Sequence, residues 1–195
     1  MFRNRTLLAG VALALTITTA GATRAGPLPR EAVAALGAGQ PWAEVTLDPA
    51  GDAALIRAAI DISAPPDRIW RAMTDCGSTL RMVTSIVQCR VVRAGPGWDI
   101  REHVTKSGPL LPSFRYLVRS DYEQLRRIRF RRLEGDVKRL DGEWELISLS
   151  GGRTRVIYEN HLSAPILAPA FMVRAKLRRD TPKVLENLRR LAAGG

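Results

Sequence analysis

The chain has few residues of the kinds that hold metals or transfer protons near neutral pH, with two cysteines and two histidines among 195 residues. Two sulfurs, with only two imidazoles in the whole chain, fall short of a four-ligand zinc set. The sequence also carries no recognisable catalytic signature. We therefore expect no metal site and no cofactor.

Long apolar runs are missing too. The longest, Leu7–Ile17, has about a dozen residues, well short of the roughly 20 that a membrane-spanning helix needs. It follows a basic head and precedes the small residues Ala20-Gly21-Ala22, which is the arrangement of a secretory signal peptide. We predict that residues 1–22 are a cleaved signal peptide, with a cut after Ala25 as the alternative, and that the mature protein is periplasmic or secreted.

The remaining residues, 26–195, have the length of one domain. The chain has 30 Lys and Arg against 19 Asp and Glu, and loss of Arg3 and Arg5 with the signal peptide lowers its net charge from +11 to +9. This charge fits plain solubility or attraction to an anionic membrane surface. Export argues against nucleic acid, and the arginine-rich segment 126–132 lacks interleaved aromatic residues beyond Phe130.

The two cysteines, Cys76 and Cys89, are separated by a short loop. In an oxidising compartment an even number of cysteines is typical of disulfides. A loop of roughly 13 residues would stabilise the fold by about 3 kcal/mol through chain entropy. We predict a Cys76–Cys89 bridge, with two buried free thiols as the alternative.

Turn residues and hydrophobic periodicity divide the rest of the chain into short elements. They predict a lead-in helix over 28–39, a hairpin of strands 42–47 and 53–63, a short helix capped within Ser63–Asp67 that ends near Gly77, and a second helical piece over 78–82. They then predict strands over 86–93, 98–106, 114–122, 125–134, 137–147 and 153–163, with a loop over 108–112.

Asp141-Gly142 is a typical two-residue hairpin signal in the middle of the predicted strand 137–147. A turn there would leave two pieces that are too short to cover anything. We therefore predict a β-bulge at this position instead of a turn.

The last segment, 169–191, has the periodicity of an amphipathic helix that Pro182 should bend. Its apolar stripe consists of Leu177, Thr181, Val184, Leu185, Leu188 and Leu191, and its other face carries Arg174, Lys176, Arg178, Arg179, Lys183, Arg189 and Arg190. This order of elements predicts an α+β fold: a curved antiparallel sheet around a long C-terminal helix, with two short helices after the first strands. Since a strongly curved sheet cannot contact such a helix along its whole length, we expect an apolar pocket between them.

Four stretches of sequence resemble the START-like helix-grip superfamily, also called SRPBCC, and within it the polyketide cyclase/dehydrase and coenzyme Q-binding branch. They are Ile62–Trp70, Glu134–Lys138 with Gly142–Leu146, Thr154–Tyr158, and Thr74–Cys76 with Cys89–Val92, the last similar to exported members that have a cysteine in each place. The resemblance spans roughly residues 53–191. It implies the helix-grip fold and a cavity, with no particular reaction.

Alternate residues of a strand share a face, which defines a candidate ligand-binding set. Phe114, Tyr116 and Val118 share one face, as do Ile128 with Phe130, Trp144 with Leu146, and Val156 with Tyr158. Arg126 and Arg132 have the parity of Ile128 and would lie at the rim, whereas Arg127, Arg129 and Arg131 would face solvent. The predicted ligand-binding residues are Trp70, Tyr116, Phe130, Trp144, Tyr158, Arg126 and Arg132; the alternative is that the apolar ones are packed core with no room for a ligand.

Three further groups were candidates for acid–base chemistry. By strand parity we expect His103 and His161 to face solvent, and Glu102 to share a face with Ile100 and Val104. A buried Glu102 would have a raised pKa and could act as an acid or base.

These features lead to three hypotheses for function. The first is an exported protein that binds or carries an apolar small molecule or lipid and touches an anionic membrane surface transiently through its basic C-terminal helix. The second is a cyclase/dehydratase-type enzyme acting on an apolar or polyketide-like substrate, with Glu102 as its acid or base and Tyr116 and Tyr158 as helpers. The third is an interaction module with a filled core.

Overall fold

A computed structural model describes residues 26–51, 53–106, 113–163 and 169–194. The predicted signal peptide and the predicted loop over 108–112 lie outside the described residues. The helices are α1 Arg30–Gly37, α2 Pro66–Thr74, α3 Cys76–Met82 and α4 Ala170–Ala193. The strands are β1 Trp42–Leu47, β2 Ala54–Ile62, β3 Ile86–Gly95, β4 Trp98–Thr105, β5 Phe114–Glu123, β6 Arg127–Gly135, β7 Arg139–Leu149 and β8 Arg153–Ser163, with a 3₁₀ turn Ser150–Gly152 between the last two.

All eight strands form one antiparallel sheet in the order β1-β2-β8-β7-β6-β5-β4-β3. Strands β3 to β8 are a meander, and the β1–β2 hairpin joins it through the pairing of β2 with β8. With α4 packed on the curved sheet, this is the predicted helix-grip fold.

The core lies on the concave side of the sheet, where α4 packs against β1, β2, α2 and α3. Leu185 and Leu188 from the predicted stripe are completely buried there, together with Ile60, Ile69 and Val156. Each such side chain contributes about 1.5–3 kcal/mol by leaving water. The apolar stripe of the terminal helix is therefore the face that packs on the sheet.

The predicted bulge at Asp141-Gly142 is wrong. Strand β7 runs through this pair and stays in register with β8, where Gly142 faces Asn160. Glycine is required because a Cβ atom at position 142 would lie 2.0 Å from the carbonyl oxygen of Glu159. Register shifts occur elsewhere: Leu133 of β6 is unpaired opposite Leu117 and Val118 of β5, and β3 has two shifts against β4.

The junction of α2 and α3 is held by a cap and a disulfide. Asp75 separates the two helices, and its Oδ2 accepts the backbone N–H of Ser78 at 2.6 Å, which caps α3. Cys76 and Cys89 form the predicted bridge, with a Cα–Cα distance of 5.4 Å, so α3 is tied to β3. The predicted side-chain cap of α2 is absent, because Pro65 holds the N-cap position.

Candidate functional site

The concave face of the sheet carries a stack of aromatic rings. Trp144 on β7 and Tyr158 on β8 are direct cross-strand partners, with ring centroids 4.1 Å apart. Phe130 on β6 is also stacked with Tyr158, with ring centroids 6.2 Å apart. These three predicted site residues lie together and are partly exposed. Burial raises the pKa of the Tyr158 hydroxyl, so it stays protonated at physiological pH.

A second aromatic contact lies on β4 and β5. His103 and Tyr116 face each other across the strands, and their rings meet edge to face with centroids 5.5 Å apart. The prediction that His103 faces solvent is therefore wrong. Burial, with a smaller effect from the Arg101 charge, lowers the pKa of His103 to about 4, so its imidazole is neutral at pH 7. Burial also raises the pKa of Tyr116 to about 12.

A buried charge pair occupies the end of the same face. Arg101 Nη2 lies 2.7 Å from Asp99 Oδ2, and the two side chains are 6% and 8% exposed. Arg101 also donates to the Tyr122 hydroxyl at 3.0 Å and to the carbonyl oxygen of Thr74, at the end of α2, at 2.6 Å. Trp70 of α2 meets the Tyr122 ring edge to face at 5.7 Å, so this predicted site residue borders the charge pair.

Several buried polar atoms of this face have no hydrogen-bond partner among the described residues. They are Asp99 Oδ1, His103 Nε2, Asn160 Oδ1 and Arg132 Nε. A buried polar atom without a partner costs about 1–3 kcal/mol, and such atoms concentrate where a ligand or water binds. This wall therefore offers two oxygen acceptors, one N–H donor and one imidazole nitrogen beside apolar rings.

The apolar residues of the concave side fall into separate clusters. One surrounds α2 and α4 with β2, β7 and β8, and another on β5–β7 contains Tyr116, Val118 and Val137 with the half-buried Phe114 and Phe130. Helix α4 packs on β1, β2, α2 and α3. The inner wall of β5 and β6 therefore keeps half-buried apolar side chains beyond the region that α4 covers.

Glu102 lies on the opposite, convex face, which contradicts its expected chemistry. Its Oε2 is 2.7 Å from Arg115 Nη2 and 2.9 Å from Arg90 Nη2. The hydrogen bond from Arg115 lowers the pKa of Glu102, and Arg90 acts in the same direction. A carboxylate held ionised by two arginines is a poor general acid, so the expected raised pKa is wrong.

The arginines of β6 divide between the faces. Arg127 and Arg129 lie on the convex face, as expected, and Arg127 reaches Glu145 at 3.2 Å. Arg132 is opposite Val118 on the concave face and donates to the carbonyl oxygen of Gly135 at 2.8 Å. Arg126 lies in the turn before β6 and is exposed, so strand parity does not apply to it.

Sequence reasoning missed four residues of the concave wall: Asp99, Arg101, His103 and Asn160. Three of them alternate along β4, and the pairing of His103 with Tyr116 fixes their side. Because Ile100 and Val104 lie on the other face of β4, hydrophobicity alone selects the wrong side. The sequence pattern that could have indicated a buried ion pair is the acidic and the basic residue two positions apart, Asp99 and Arg101.

His161 lies on the convex face, as expected, 3.6 Å from Asp141.

Within the described part of the chain, no helix is both long and apolar enough to cross a membrane. In the same residues, no group of three or more His, Cys, Asp or Glu side chains is arranged to hold a metal ion.

Comparison with solved structures finds the same fold in proteins with different described roles. A STAR-related lipid transfer protein from Xanthomonas axonopodis is 12% identical with a TM-score of 0.68, covering 78% of this chain and 93% of that chain. The Zhui aromatase/cyclase from Streptomyces sp. R1128 is 17% identical with a TM-score of 0.61, covering 72% and 94%. The human StarD13 lipid transfer and protein localization domain is 14% identical with a TM-score of 0.64, covering 78% and 84%. At these identities the likeness establishes the fold alone.

A search of curated proteins finds no match to this sequence. The family model described as polyketide cyclase/dehydrase and lipid transport matches residues 62–189, which include the α2 entry, the aromatic stack and most of α4. On the evidence of that match and of the helix-grip fold, the chain belongs to the polyketide cyclase/dehydrase and lipid transport family of START-like proteins.

Proposed function

We propose that this protein is an exported START-like domain that binds or carries an apolar small molecule or lipid between the sheet and α4. The observation that carries the proposal is the stack of Phe130, Tyr158 and Trp144, which is partly exposed on the concave wall beside buried polar atoms without partners. Ligand pockets combine a mostly apolar lining with a few fixed polar groups in this way. The family and the folds of described lipid transfer proteins support the same class of ligand.

The ligand should carry a hydroxyl or a similar small polar group at one end. Asn160 Oδ1 is an unpartnered acceptor, and His103 Nε2 is an unpartnered nitrogen of a neutral imidazole, which accepts a hydrogen bond in one tautomer and donates one in the other. A hydroxyl can donate to the amide oxygen and can bond to the imidazole in either tautomer, which would remove the cost of burying these atoms unpaired. A hydrocarbon without a polar group would leave that cost in place, so it should bind more weakly.

Export is supported by two independent features. The basic head, apolar run and small residues of the first 22 positions have the order of a signal peptide. The Cys76–Cys89 bridge is of a kind that persists in oxidising compartments. Periplasmic or secreted location is therefore part of the proposal.

Membrane contact is proposed for the first half of α4. Phe171 and Met172 are 70% and 53% exposed. Arg174, Arg178 and Arg179 follow on the same helix and are exposed. Exposed apolar side chains beside cations suit a transient contact with an anionic lipid surface, and this contact should weaken with salt.

The first test is native mass spectrometry of the protein secreted from its host, followed by organic extraction. We expect a bound apolar mass of defined identity.

The second test is titration with the neutral apolar dye N-phenyl-1-naphthylamine, comparing Trp144→Ala with Trp98→Ala. Trp98 is the matched control because it lies on the convex face under the Arg119 guanidinium, 4.5 Å from the ring centroid.

We expect Trp144→Ala to weaken dye binding about tenfold, which corresponds to the roughly 1.4 kcal/mol of one aromatic contact. Trp98→Ala should leave the affinity unchanged. Circular dichroism of both variants verifies that they fold. Absence of a bound mass together with absence of saturable dye binding, or equal losses in the two variants, would contradict the proposal.

A second candidate function is a proton-transfer enzyme of the cyclase/dehydratase type. The specific observation that favours it is a neutral imidazole on the inner wall, with Nε2 unpartnered and Tyr116 beside it. His103 replaces Glu102 as the candidate base, because Glu102 is committed to two arginines on the convex face. Turnover of a poly-β-ketone substrate that persists unchanged in His103→Gln would exclude this role.

A further inference from the structure

Three helices end close together on the surface, and each contributes an arginine from its last turn: Arg71 from α2, Arg81 from α3 and Arg190 from α4. Together with Arg68 they line a groove of about 370 Å³ with Ala72, Leu191 and Ala192 among its apolar lining. We call these four arginines and their lining the arginine groove. It uses none of the concave-wall residues that carry the proposed function.

Helix ends explain part of this cluster. An arginine in a last turn interacts favourably with the negative end of the helix dipole, which accounts for Arg71, Arg81 and Arg190 separately. Arg68 is different, because it lies in the first turn of α2, where the dipole disfavours a cation. Its side chain is exposed and makes no hydrogen bond or ion pair with the described residues, so its position at the groove needs another reason.

Two carboxylates lie near the groove, and neither forms an ion pair with Arg68, Arg81 or Arg190. Asp75 lines the groove as an ionised carboxylate: its Oδ2 accepts the Ser78 N–H at 2.6 Å, which lowers its pKa, and the Arg81 charge has a smaller effect in the same direction. Asp67 pairs with Arg71 at 2.9 Å. Arg81 and Arg190 donate to neutral oxygens, Ser78 Oγ and Asn187 Oδ1. Among the described residues, Arg68, Arg81 and Arg190 therefore have no carboxylate within ion-pair distance.

The walls of the groove are held in place by covalent and packing contacts. The Cys76–Cys89 bridge ties α3 to β3, and α2 packs on α4. Asn187 of α4 also donates to the carbonyl oxygen of Met82 at 3.0 Å, which joins the ends of α3 and α4. The three helix ends are therefore held together, and the four exposed arginine side chains start from fixed backbone positions around the groove.

We propose that the arginine groove binds a doubly charged phosphate group, in the form of a phosphate monoester or a diphosphate. Guanidinium groups match phosphate oxygens with paired, charge-assisted hydrogen bonds. Three such groups without carboxylate partners supply the charge, and Ala72 and Leu191 offer an apolar surface for the organic part of the ligand. Arg190 is 19 residues from Phe171, about 28 Å along α4, so the groove lies at the end of the helix opposite the proposed membrane contact.

The test is isothermal titration calorimetry with sodium pyrophosphate at constant ionic strength, on the wild-type protein and two charge-matched double variants. Arg68→Gln/Arg190→Gln removes two groove cations. Arg93→Gln/Arg131→Gln removes two exposed cations of β3 and β6 and serves as the control. We expect saturable binding that weakens about tenfold or more in the groove variant and stays unchanged in the control.

Vesicles distinguish the two sources of such a phosphate. We would sediment the protein with phosphatidylcholine vesicles that contain phosphatidic acid, whose headgroup is a phosphate monoester. Retention that pyrophosphate competes away, and that the groove variant alone loses, supports a lipid headgroup. Pyrophosphate binding without such retention supports a soluble phosphate compound.

Absence of saturable pyrophosphate binding to the wild-type protein, or equal weakening in the two double variants, would overturn the proposal. Equal weakening would mean that only net charge matters. The groove variant should still bind N-phenyl-1-naphthylamine like the wild type, because its substitutions lie outside the concave wall. A failure of the groove is therefore distinguishable from a failure of the proposed apolar site.

Discussion

Two arginine–carboxylate pairs of the same length lie on opposite faces of the sheet. Arg101 and Asp99 are 2.7 Å apart on the concave face, where the arginine side chain is 6% exposed. Arg115 and Glu102 are also 2.7 Å apart, on the convex face, where the arginine side chain is 67% exposed. The two contacts have the same length and both carboxylates are buried, at 8% and 6% exposure, so the pairs differ in the burial of the arginine.

The convex face carries many ion pairs, most with at least one partner that is partly exposed. Arg119 binds Asp121 and Arg139 binds Asp141 in partly exposed positions, and Arg155 binds Asp61 in a half-buried one. Such pairs contribute little to stability and keep an arginine-rich sheet soluble. The concave face differs in that both partners of its Asp99–Arg101 pair are buried, and such a pair is costly to place.

The largest predicted effect comes from breaking the buried pair. Arg101→Ala would leave Asp99 buried without its cation and remove the contacts to Tyr122 and to the end of α2. Breaking a buried pair costs about 3–5 kcal/mol. We expect a loss of that order in the free energy of unfolding, measured by urea denaturation monitored by circular dichroism.

Arg115→Ala is the control, since it removes an equally short contact from the convex face. Its urea midpoint should stay close to that of the wild type, because Arg90 still binds the same oxygen of Glu102 and the lost arginine is exposed. A double variant, Asp99→Leu/Arg101→Met, should recover much of the stability that Arg101→Ala loses. Equal losses for Arg101→Ala and Arg115→Ala would contradict the distinction between the faces.

The next effect concerns the bridge that fixes α3 over the concave side. Cys76→Ser/Cys89→Ser opens a loop of 13 residues, and the entropy model predicts a loss of about 3 kcal/mol. Thermal unfolding with and without a reductant measures it. The reductant should destabilise the wild type and leave the double variant unchanged; a wild type that is insensitive even when thiol titration shows full reduction would contradict the prediction.

The sequence predicted the helix-grip fold because its signals are local and repeated. Alternation along β5–β8 and the apolar stripe of α4 recur over many residues, so single exceptions do not change the result. The even cysteine count was likewise sufficient for the bridge. Gly142 shows where local signals fail. A glycine is needed there because the β8 backbone comes close, and a contact between distant parts of the chain leaves no local sequence pattern.

The candidate site was predicted mainly where its residues are aromatic, with Arg132 as the one charged residue that strand parity placed on the correct face. Strand parity grouped Tyr116, Phe130, Trp144 and Tyr158 correctly on one face. It failed for β4, where the concave side holds Asp99, Arg101 and His103 while Ile100 and Val104 lie on the other side. Burial of polar groups depends on partners from other elements, such as the Thr74 carbonyl at the end of α2, and only the folded structure reveals them.

A smaller effect concerns the pH dependence of the free energy of unfolding, to which the buried His103 contributes. Burial lowers the pKa of His103 to about 4 in the folded protein, against an ordinary value of 6.5. The unfolded chain then binds the proton more readily, so this contribution to stability is complete above pH 6.5 and is lost as the pH falls toward 4. Between pH 7 and pH 5 the loss is about 2 kcal/mol.

His103→Gln should remove this pH dependence, and it would appear as a flatter curve of unfolding free energy against pH. His161→Gln, on the convex face beside Asp141, should retain the slope of the wild type. If His161→Gln flattened the curve and His103→Gln did not, the assignment of His103 to the concave wall would be wrong.

The smallest predicted effect is that of Glu102→Gln. Its carboxylate faces away from the concave wall and is bound by Arg90 and Arg115, so the substitution leaves the aromatic stack and the unpartnered polar atoms untouched. We expect N-phenyl-1-naphthylamine to bind Glu102→Gln with wild-type affinity. Asn160→Leu is the contrasting variant, because it removes an acceptor from the concave wall. It should weaken the binding of a hydroxyl-bearing ligand identified by extraction. A loss of dye binding in Glu102→Gln would contradict the assignment of the dye site to the concave wall.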